Sequence, residues 1–456
     1  MTNRVAKNAT WIIACKIVQS ILGFVINMFT ARFLGPSNFG VITYAASLVS
    51  FVLPIMKLGL NNIIVQEVVH HPEREGKAVG TMVFMNVISS FVCIIGVTSF
   101  AYVANPGEPD TVLVCALYCV TLVFQATEMI HFWFQAKLLS KYTSILGLIA
   151  YTLVSAYRIY LLATAKSVHW FALSSALDYL LISVGMFVIY AKKKNQKLSI
   201  DFKLAKEMLN KSKHYILSAM MTTIFTQTDK IMLKGMIDSD STAYYGAAAA
   251  CAVMAQFVFQ ALIDSFRPWI FEAQKKNNGQ FEYRLKMLYS FIIYLSLLQS
   301  VVMTIFADLI VHVVYGEQYM PAAGALRIVV WYTTFAYLGS VRNIWILAND
   351  KQKYLWVINI CGASANVVLN FALIPFLGIY GAAIASLITQ FFTNVIVGYI
   401  IRPIRPNNAI MVSSLNPKYC IDAVKKLLKR SPKKAAAGVA DKSAESNDSA
   451  KAPEDD

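Results

Sequence analysis

Eleven ionisable residues sit inside stretches of this chain that are otherwise apolar enough to cross a bilayer: Lys16, Lys57, Glu128, Arg158 and Asp178 in the first half, and Asp229, Lys230, Lys234, Asp264, Arg327 and Arg342 in the second. A charge held in hydrocarbon is costly, so each must find a partner, a wet cavity or a helix end. Lys57, Lys234 and Asp264 lie within about a turn of a predicted helix end and can reach water from there. Asp178 is central in its segment, and the helix before it carries Arg158; adjacent antiparallel helices would let the two meet, either as a structural ion pair or at a substrate site. Glu128 and His131 occupy adjacent turns facing the same way. They are read as a hydrogen-bonded packing pair or, because imidazole titrates near neutral pH, as a proton relay. Asp229 is a third candidate for coupling to an ion. Lys16, Arg327 and Arg342 are cations that could line a cavity for an anion such as a diphosphate; the alternative is that each meets a carbonyl or carboxylate of another helix.

The elements that must position these groups follow from composition. The chain is 57% hydrophobic and 14% charged, with mean hydropathy +0.54. A soluble domain carries about 25% charge, so this is an integral membrane protein. With a ruler of about 20 apolar residues per span, twelve helices are expected: 11–31, 40–60, 79–103, 111–134, 143–163, 168–191, 214–235, 242–264, 285–305, 323–348, 354–376 and 379–402. The stretch Lys192–Lys213 carries eight Lys and separates six spans from six. The expected organisation is a first bundle over 1–191, a cytoplasmic linker over 192–213, a second bundle over 214–402, a basic amphipathic segment over 403–430 and a disordered tail over 431–456. Within the tail region Tyr419–Arg430 reads as a short basic amphipathic helix on the inner membrane surface. The first apolar run shows no cleavage pattern and is expected to stay as a span.

Orientation comes from the loops. With Lys286 and Arg402 at helix ends, those that include the N-terminus, 192–213 and the tail hold 32 of the 41 Lys and Arg, whereas the opposite set holds Arg32 and Lys166. Basic loops stay inside, so both termini are expected in the cytoplasm. The net charge of +16 is then a membrane-surface signal and not one for nucleic acid, since the basic residues are scattered. The opposite loops are short and rich in Gly, Pro and helix-capping residues. They leave no room for an external catalytic domain, and no nucleophile elbow, zinc-protease motif or phosphate loop occurs. No enzyme, cofactor or metal is expected. The cysteines, Cys115 and Cys119 included, read as small packing residues. Phe39-Gly40, Tyr245-Gly246 and Tyr380-Gly381 each open a helix with an aromatic–Gly pair, which lets neighbouring helices approach closely.

Three stretches carry a family resemblance: Ala31-Arg32-Phe33-Leu34-Gly35-Pro36-Ser37-Asn38-Phe39-Gly40; Thr228-Asp229-Lys230-Ile231-Met232-Leu233 followed by Tyr244-Tyr245-Gly246-Ala247-Ala248; and Asn349-Asp350-Lys351 through Asn370 to Pro375-Phe376-Leu377-Gly378-Ile379-Tyr380-Gly381-Ala382-Ala383. In this order the chain resembles the Wzx-type polysaccharide flippases of the multidrug/oligosaccharidyl-lipid/polysaccharide exporter superfamily. The resemblance implies an all-α membrane protein with two six-helix bundles around a central cavity, and the cationic cavity of such proteins fits Lys16, Arg158, Lys230, Arg327 and Arg342 as candidates for contact with a diphosphate or acidic sugar. It implies alternating-access export of undecaprenyl-diphosphate-linked oligosaccharide to the outer leaflet of the bacterial inner membrane, for O-antigen, capsule or related glycans. Glycan polymerase and chain-length regulator are the implied partners. The similar lipid II flippases usually have fourteen helices, and drug exporters tend to keep a carboxylate in the first helix, where residues 11–31 have only Lys16. A cation-coupled multidrug antiporter is the alternative, and it would work through Asp178, Asp229 or Glu128.

Overall fold

The computed structural model describes residues 2–137, 139–193, 196–275 and 279–429, apart from the side chains of residues 2–14, 16, 17 and 427–429. The Lys16 side chain and the tail over 431–456 therefore lie outside the described residues. Among the described residues every regular element is helical.

The first helix, α1 (Thr2–Met56), is two arms. Gly35 sits between them at φ 72° and ψ 170°, and Pro36 opens the second arm. Positive φ suits Gly, and Pro is tolerated where a helix starts because its missing N–H has no partner there. The loop expected over 32–39 thus shrinks to one non-helical residue. The segment expected as a loop over 61–78 is also largely helical: α2 (Asn61–His70), a single 3-10 turn, then α3 (Glu75–Ala104). Next come α4 (Pro109–Glu128), α5 (His131–Ala136), α6 (Ser140–Ala163) and α7 (Val168–Lys193). The second half runs α8 (Phe202–Met236), α9 (Ser239–Ala252), α10 (Gln256–Lys275), α11 (Gln280–Ile305) and α12 (Ala307–Tyr315). It continues with α13 (Pro321–Ala348), α14 (Leu355–Leu377), α15 (Ile379–Phe391), α16 (Val397–Ile400), α17 (Arg405–Ser413) and α18 (Pro417–Lys429).

All twelve expected spans fall on these helices. Among the described residues nine helical runs are long and apolar enough to cross a membrane, and the first of them, Val18–His70, contains both arms of α1. The other two spans, on α8 and α13, are less apolar because charged and hydroxyl residues interrupt them. Asp229, Lys230, Arg327 and Arg342 lie on those two helices.

The chain forms two compact units. One comprises residues 1–253, 303–332 and 353–393; the other comprises 254–302, 333–352 and 394–456. The first unit has three apolar cores. One gathers α9, α12, the first part of α13 and α15 around Tyr315 and Tyr319. Another packs α2, the start of α3 and α5 around Trp133. The third joins the second arm of α1 to α3 and α4 and contains Cys115 and Cys119, both fully buried. All seven cysteines are free thiols. In the second unit Phe259 stacks on Tyr337 at 4.1 Å and Tyr289 donates to Asn407 at 2.9 Å. There α18 is docked by its own side chains: Ala423 is fully buried, Asp422 accepts from Tyr283 at 2.7 Å, and Lys426 lies 3.6 Å from the Trp269 ring.

Within 192–213, α7 runs to Lys193 and α8 begins at Phe202, and among the described residues 196–201 form a short non-helical strap. It is pinned to the start of α3. Gln196 donates to the carbonyls of Pro72 and Glu73 at 3.0 and 2.9 Å, and the Ser199 N–H donates to the Gly76 carbonyl at 3.3 Å. Asp201 then caps α8 by accepting from the backbone of Lys203 and Leu204 at 3.0 and 3.1 Å. Those two N–H donors hold its carboxyl below the usual carboxylate range.

Candidate functional site

Neighbouring residues on an α-helix point about 100° apart. Asp229 and Lys230 on α8 therefore serve different surroundings. Asp229 is buried, at 4% exposure. Its carboxylate accepts from four side chains: Tyr245 on α9, Ser386 on α15 at 2.5 Å, and Asn366 and Asn370 on α14 at 3.1 and 2.6 Å. Asn370 also donates to Asn366 at 3.1 Å, and Tyr245 shares a 3.0 Å hydrogen bond with Ser386. All four donors are neutral. The cluster satisfies the hydrogen-bonding capacity of the carboxylate with donors that carry no charge.

Lys230 faces a cavity of about 360 Å³ in the same unit. Its walls include Asn27 and Thr30 from the first arm of α1, Ser47 from the second, Tyr118, Arg158, Ser175 and Gln227. Lys230 lies 3.5 Å from the Gln227 amide oxygen. Arg158 donates to Ser174 at 3.0 Å and reaches Asp178 at 3.3 Å, so the pairing expected from hairpin adjacency is present. Among the described residues no carboxylate lines this cavity. Lys230, Arg158 with its Asp178 partner, and the hydroxyls and amides of the lining are groups able to bind an oxygen-rich anion.

A second cavity, of about 390 Å³, is lined by Glu128, His131, Gln19, Gln135, Ser140 and Thr143 among others. The helix breaks after Glu128, and His131 Nδ1 meets the Glu128 backbone carbonyl at 3.1 Å. The two side chains are thus brought to one polar space, as their spacing predicts.

At the Gly35 end of the unit, the halves of the sequence are tied together. Arg32 donates to the carbonyls of His312, Val313 and Val314, the last ones of α12, and so caps that helix with a cation. Gln318 and Tyr319 donate back to the carbonyls of Arg32 and Ala31 at 2.7 and 3.0 Å. Lys234 was expected to reach water from a helix end. Instead it is 8% exposed and grips Glu108 at 2.7 and 2.9 Å, because the loop after α3 folds over it. Lys234 and then Thr111, both hydrogen-bonded to Glu108, hold that carboxyl below its usual range. Gly40 lies directly on the Ser239 carbonyl, and a Cβ at Gly246 would stand 2.9 Å from the Thr43 methyl, so the second arm and α9 cross at close range.

The remaining candidates fall elsewhere. Arg327 pairs with Asp308 at 2.5 Å, and both side chains are about half exposed, at 44% and 55%. Arg342 belongs to the second unit, where it is buried near Tyr289. Among the described residues no group of three or more metal-ligating side chains occurs. Sequence reasoning missed Asn366, Asn370, Tyr245 and Ser386. A signal was available for the first two: amides four residues apart in an apolar helix share a face, and they need a common polar partner.

Known proteins place the chain. A curated relative, the uncharacterized membrane protein MJ1068 of Methanocaldococcus jannaschii, is 26% identical over 233 residues, 47% of this chain and 45% of that protein. The chain therefore spans less than half of that relative's length. Among solved structures, the lipid II flippase MurJ in an inward closed conformation aligns with TM-score 0.66 at 13% identity, covering 89% of this chain and 90% of MurJ. An inward-facing multidrug resistance MATE family transporter of the MOP superfamily aligns with TM-score 0.64 at 13% identity, covering 87% and 96%. At that identity the likeness is one of fold: a helical membrane transporter fold. A family model described as polysaccharide biosynthesis protein matches residues 5–274, well over half of the sequence, and this chain belongs to that family.

Proposed function

We propose that the chain is a flippase that moves undecaprenyl-diphosphate-linked oligosaccharide from the inner to the outer leaflet of the cytoplasmic membrane, for O-antigen, capsule or a related surface glycan. One observation carries this reading: the cavity walled by Arg158 and Lys230 has no carboxylate on its lining. Paired cations amid hydroxyls and amides suit a diphosphate with sugars attached. The polysaccharide family and the fold shared with a lipid II flippase support the same substrate class. In this reading the halves 1–191 and 214–402 open alternately. The basic loops put the Gly35 end outside, and Arg32, Glu108 and Lys234 hold that end shut. Asp229, charged and hydrogen-bonded by neutral donors, takes up the proton or metal cation that drives the cycle. A polymerase and a chain-length regulator would receive the product.

The test is sidedness of the lipid-linked oligosaccharide in cells lacking the protein. Spheroplasts are treated with an impermeant reagent that modifies outward sugars. Lost labelling, with lipid-linked units accumulating inside, is the expected result; unchanged labelling would discard the flippase reading.

A second reading, a cation-coupled multidrug antiporter, is favoured by Asp229 itself, since a buried carboxylate is what proton or sodium exchange needs. The two readings separate on Lys230, which a drug exporter could lose without harm.

A further inference from the structure

The same helix faces build both polar cavities of the first unit. On the first arm of α1, Cys15 and Gln19 line the Glu128 cavity, and Ile26 and Thr30 line the cationic one. At about 100° per residue these four fall within roughly 60° of one another. On α6, Ser144 and Gly147 line the Glu128 cavity and Arg158 the cationic one; on α7, Ile182 and Met186 line the former and Phe171 and Ser175 the latter. Each set again shares one face of its helix. The step from Gln19 to Ile26, like that from Ser175 to Ile182, is about 10 Å along the helix axis. One layer stands between. A Cβ at Gly23, between Gln19 and Ile26, would lie 2.5 Å from the Tyr151 hydroxyl, so Tyr151 of α6 rests directly on the α1 backbone. Tyr151 is also within electrostatic reach of Arg158 and Asp178.

The two compartments differ in what they can bind. The cationic cavity holds Lys230 and Arg158. In the Glu128 cavity no Lys or Arg is on the lining among the described residues; Lys57 lies within electrostatic reach of Glu128 from outside that lining. Thr143 and Ser144 donate to the Ser140 carbonyl at 2.9 and 3.0 Å, so toward the cavity their hydroxyls can only accept. A carboxylate also only accepts, while the amides of Gln19 and Gln135 offer both roles. A lining richer in acceptors than in donors calls for a ligand that brings O–H or N–H groups and no anionic oxygen.

We infer that the Glu128 cavity is the sugar compartment of the transport site. It takes the hydroxyls of a neutral or amine-bearing pyranose, while Lys230 and Arg158 hold the diphosphate to which that sugar is joined. This rests on the flippase reading above. A step of about 10 Å matches the reach of a diphosphate and the sugar next to it, and Tyr151 swings off Gly23 for one ligand to extend across. A uronic acid is refused, because it sets a second carboxylate against Glu128. A water-filled vestibule that holds no sugar is the competing account.

The experiment measures binding to the full chain in nanodiscs of defined phospholipid. The ligands are undecaprenyl diphosphate alone, the same lipid bearing glucose, and the same lipid bearing glucuronic acid. Wild type should bind the glucose ligand about tenfold tighter than the bare one, through a few added hydrogen bonds. It should bind the glucuronic acid ligand no tighter than the bare one. Ser144→Leu fills the compartment and should abolish the advantage of glucose over the bare lipid. Glu128→Gln removes the repelling charge and should abolish the preference for glucose over glucuronic acid. Equal wild-type binding of the glucose and bare ligands, or an advantage that survives Ser144→Leu, would refute the inference in favour of a vestibule. Wild-type binding of glucuronic acid as tight as that of glucose, or a preference unchanged by Glu128→Gln, refutes it as well. If wild type binds none of the ligands, the flippase reading itself fails and takes this inference with it, a pattern distinct from the others.

Discussion

Asp178 and Asp229 are both aspartates buried in apolar helices, at 9% and 4% exposure, and they are answered differently. Asp178 faces an arginine at 3.3 Å. Asp229 faces two amides and two hydroxyls from three other helices. An ion pair cancels charge and fixes two helices; neutral donors solvate a charge without cancelling it. The first arrangement is built to stay as it is. In the second the carboxylate is held by hydrogen bonds alone.

The sharpest way to break this contrast is Asp229→Asn. The amide keeps the volume and much of the hydrogen bonding, so stability should change by no more than about 1–2 kcal/mol. Transport should fall about 100-fold, because the charge is gone. Lipid-linked oligosaccharide turnover in vesicles measures the second quantity and thermal unfolding the first; wild-type transport would reduce Asp229 to a packing group.

Arg158→Met leaves Asp178 buried and unanswered, which costs about 3 kcal/mol. The double variant Arg158→Met with Asp178→Leu should recover most of that stability. Transport should stay low in the double variant, since Arg158 also lines the cavity. Recovery of both would assign Arg158 to structure alone.

Lys230→Gln is milder. It removes one of two cavity cations and should lower affinity for a diphosphate ligand about tenfold, with an unfolding temperature near wild type. Equal binding would move the anion site elsewhere.

Glu108→Gln should have the smallest effect, about 1 kcal/mol, for the Glu108 side chain is half exposed although that of Lys234 is buried. The sign with pH follows from the lowered carboxyl. Because the folded pKa lies below the unfolded one, the contribution is full above the ordinary carboxylate range and is lost as pH falls through the depressed folded value. The stability difference between wild type and Glu108→Gln should therefore be flat over about pH 6 to 8 and vanish only in acid. A difference that disappears near neutrality would show that the pair is not what closes this end.

The helices were legible because apolar length is a strong signal, and the Asp178–Arg158 pair because consecutive helices are neighbours. The Asp229 donors were not, since Asn366, Asn370 and Ser386 stand 137 to 157 residues away and each is an ordinary residue in its own helix. Only tertiary packing makes them one cluster. Lys234 was misjudged for a related reason: its place near a helix end suggested water, while the loop carrying Glu108 had been read for its turn residues alone. Arg327 shows the reverse, a cation that found its carboxylate in the short helix α12.

The crossing of the second arm with α9 leaves a mark that evolution should display. Gly40 rests against a main-chain carbonyl, which no substitution elsewhere can trim; Gly246 rests against the methyl of Thr43, which can. Across divergent relatives, position 40 should hold glycine throughout. Positions 246 and 43 should instead drift as a pair, alanine at one arriving with serine at the other, so that a correlated pair of columns reports a helix crossing whose partner residue shows no variation at all.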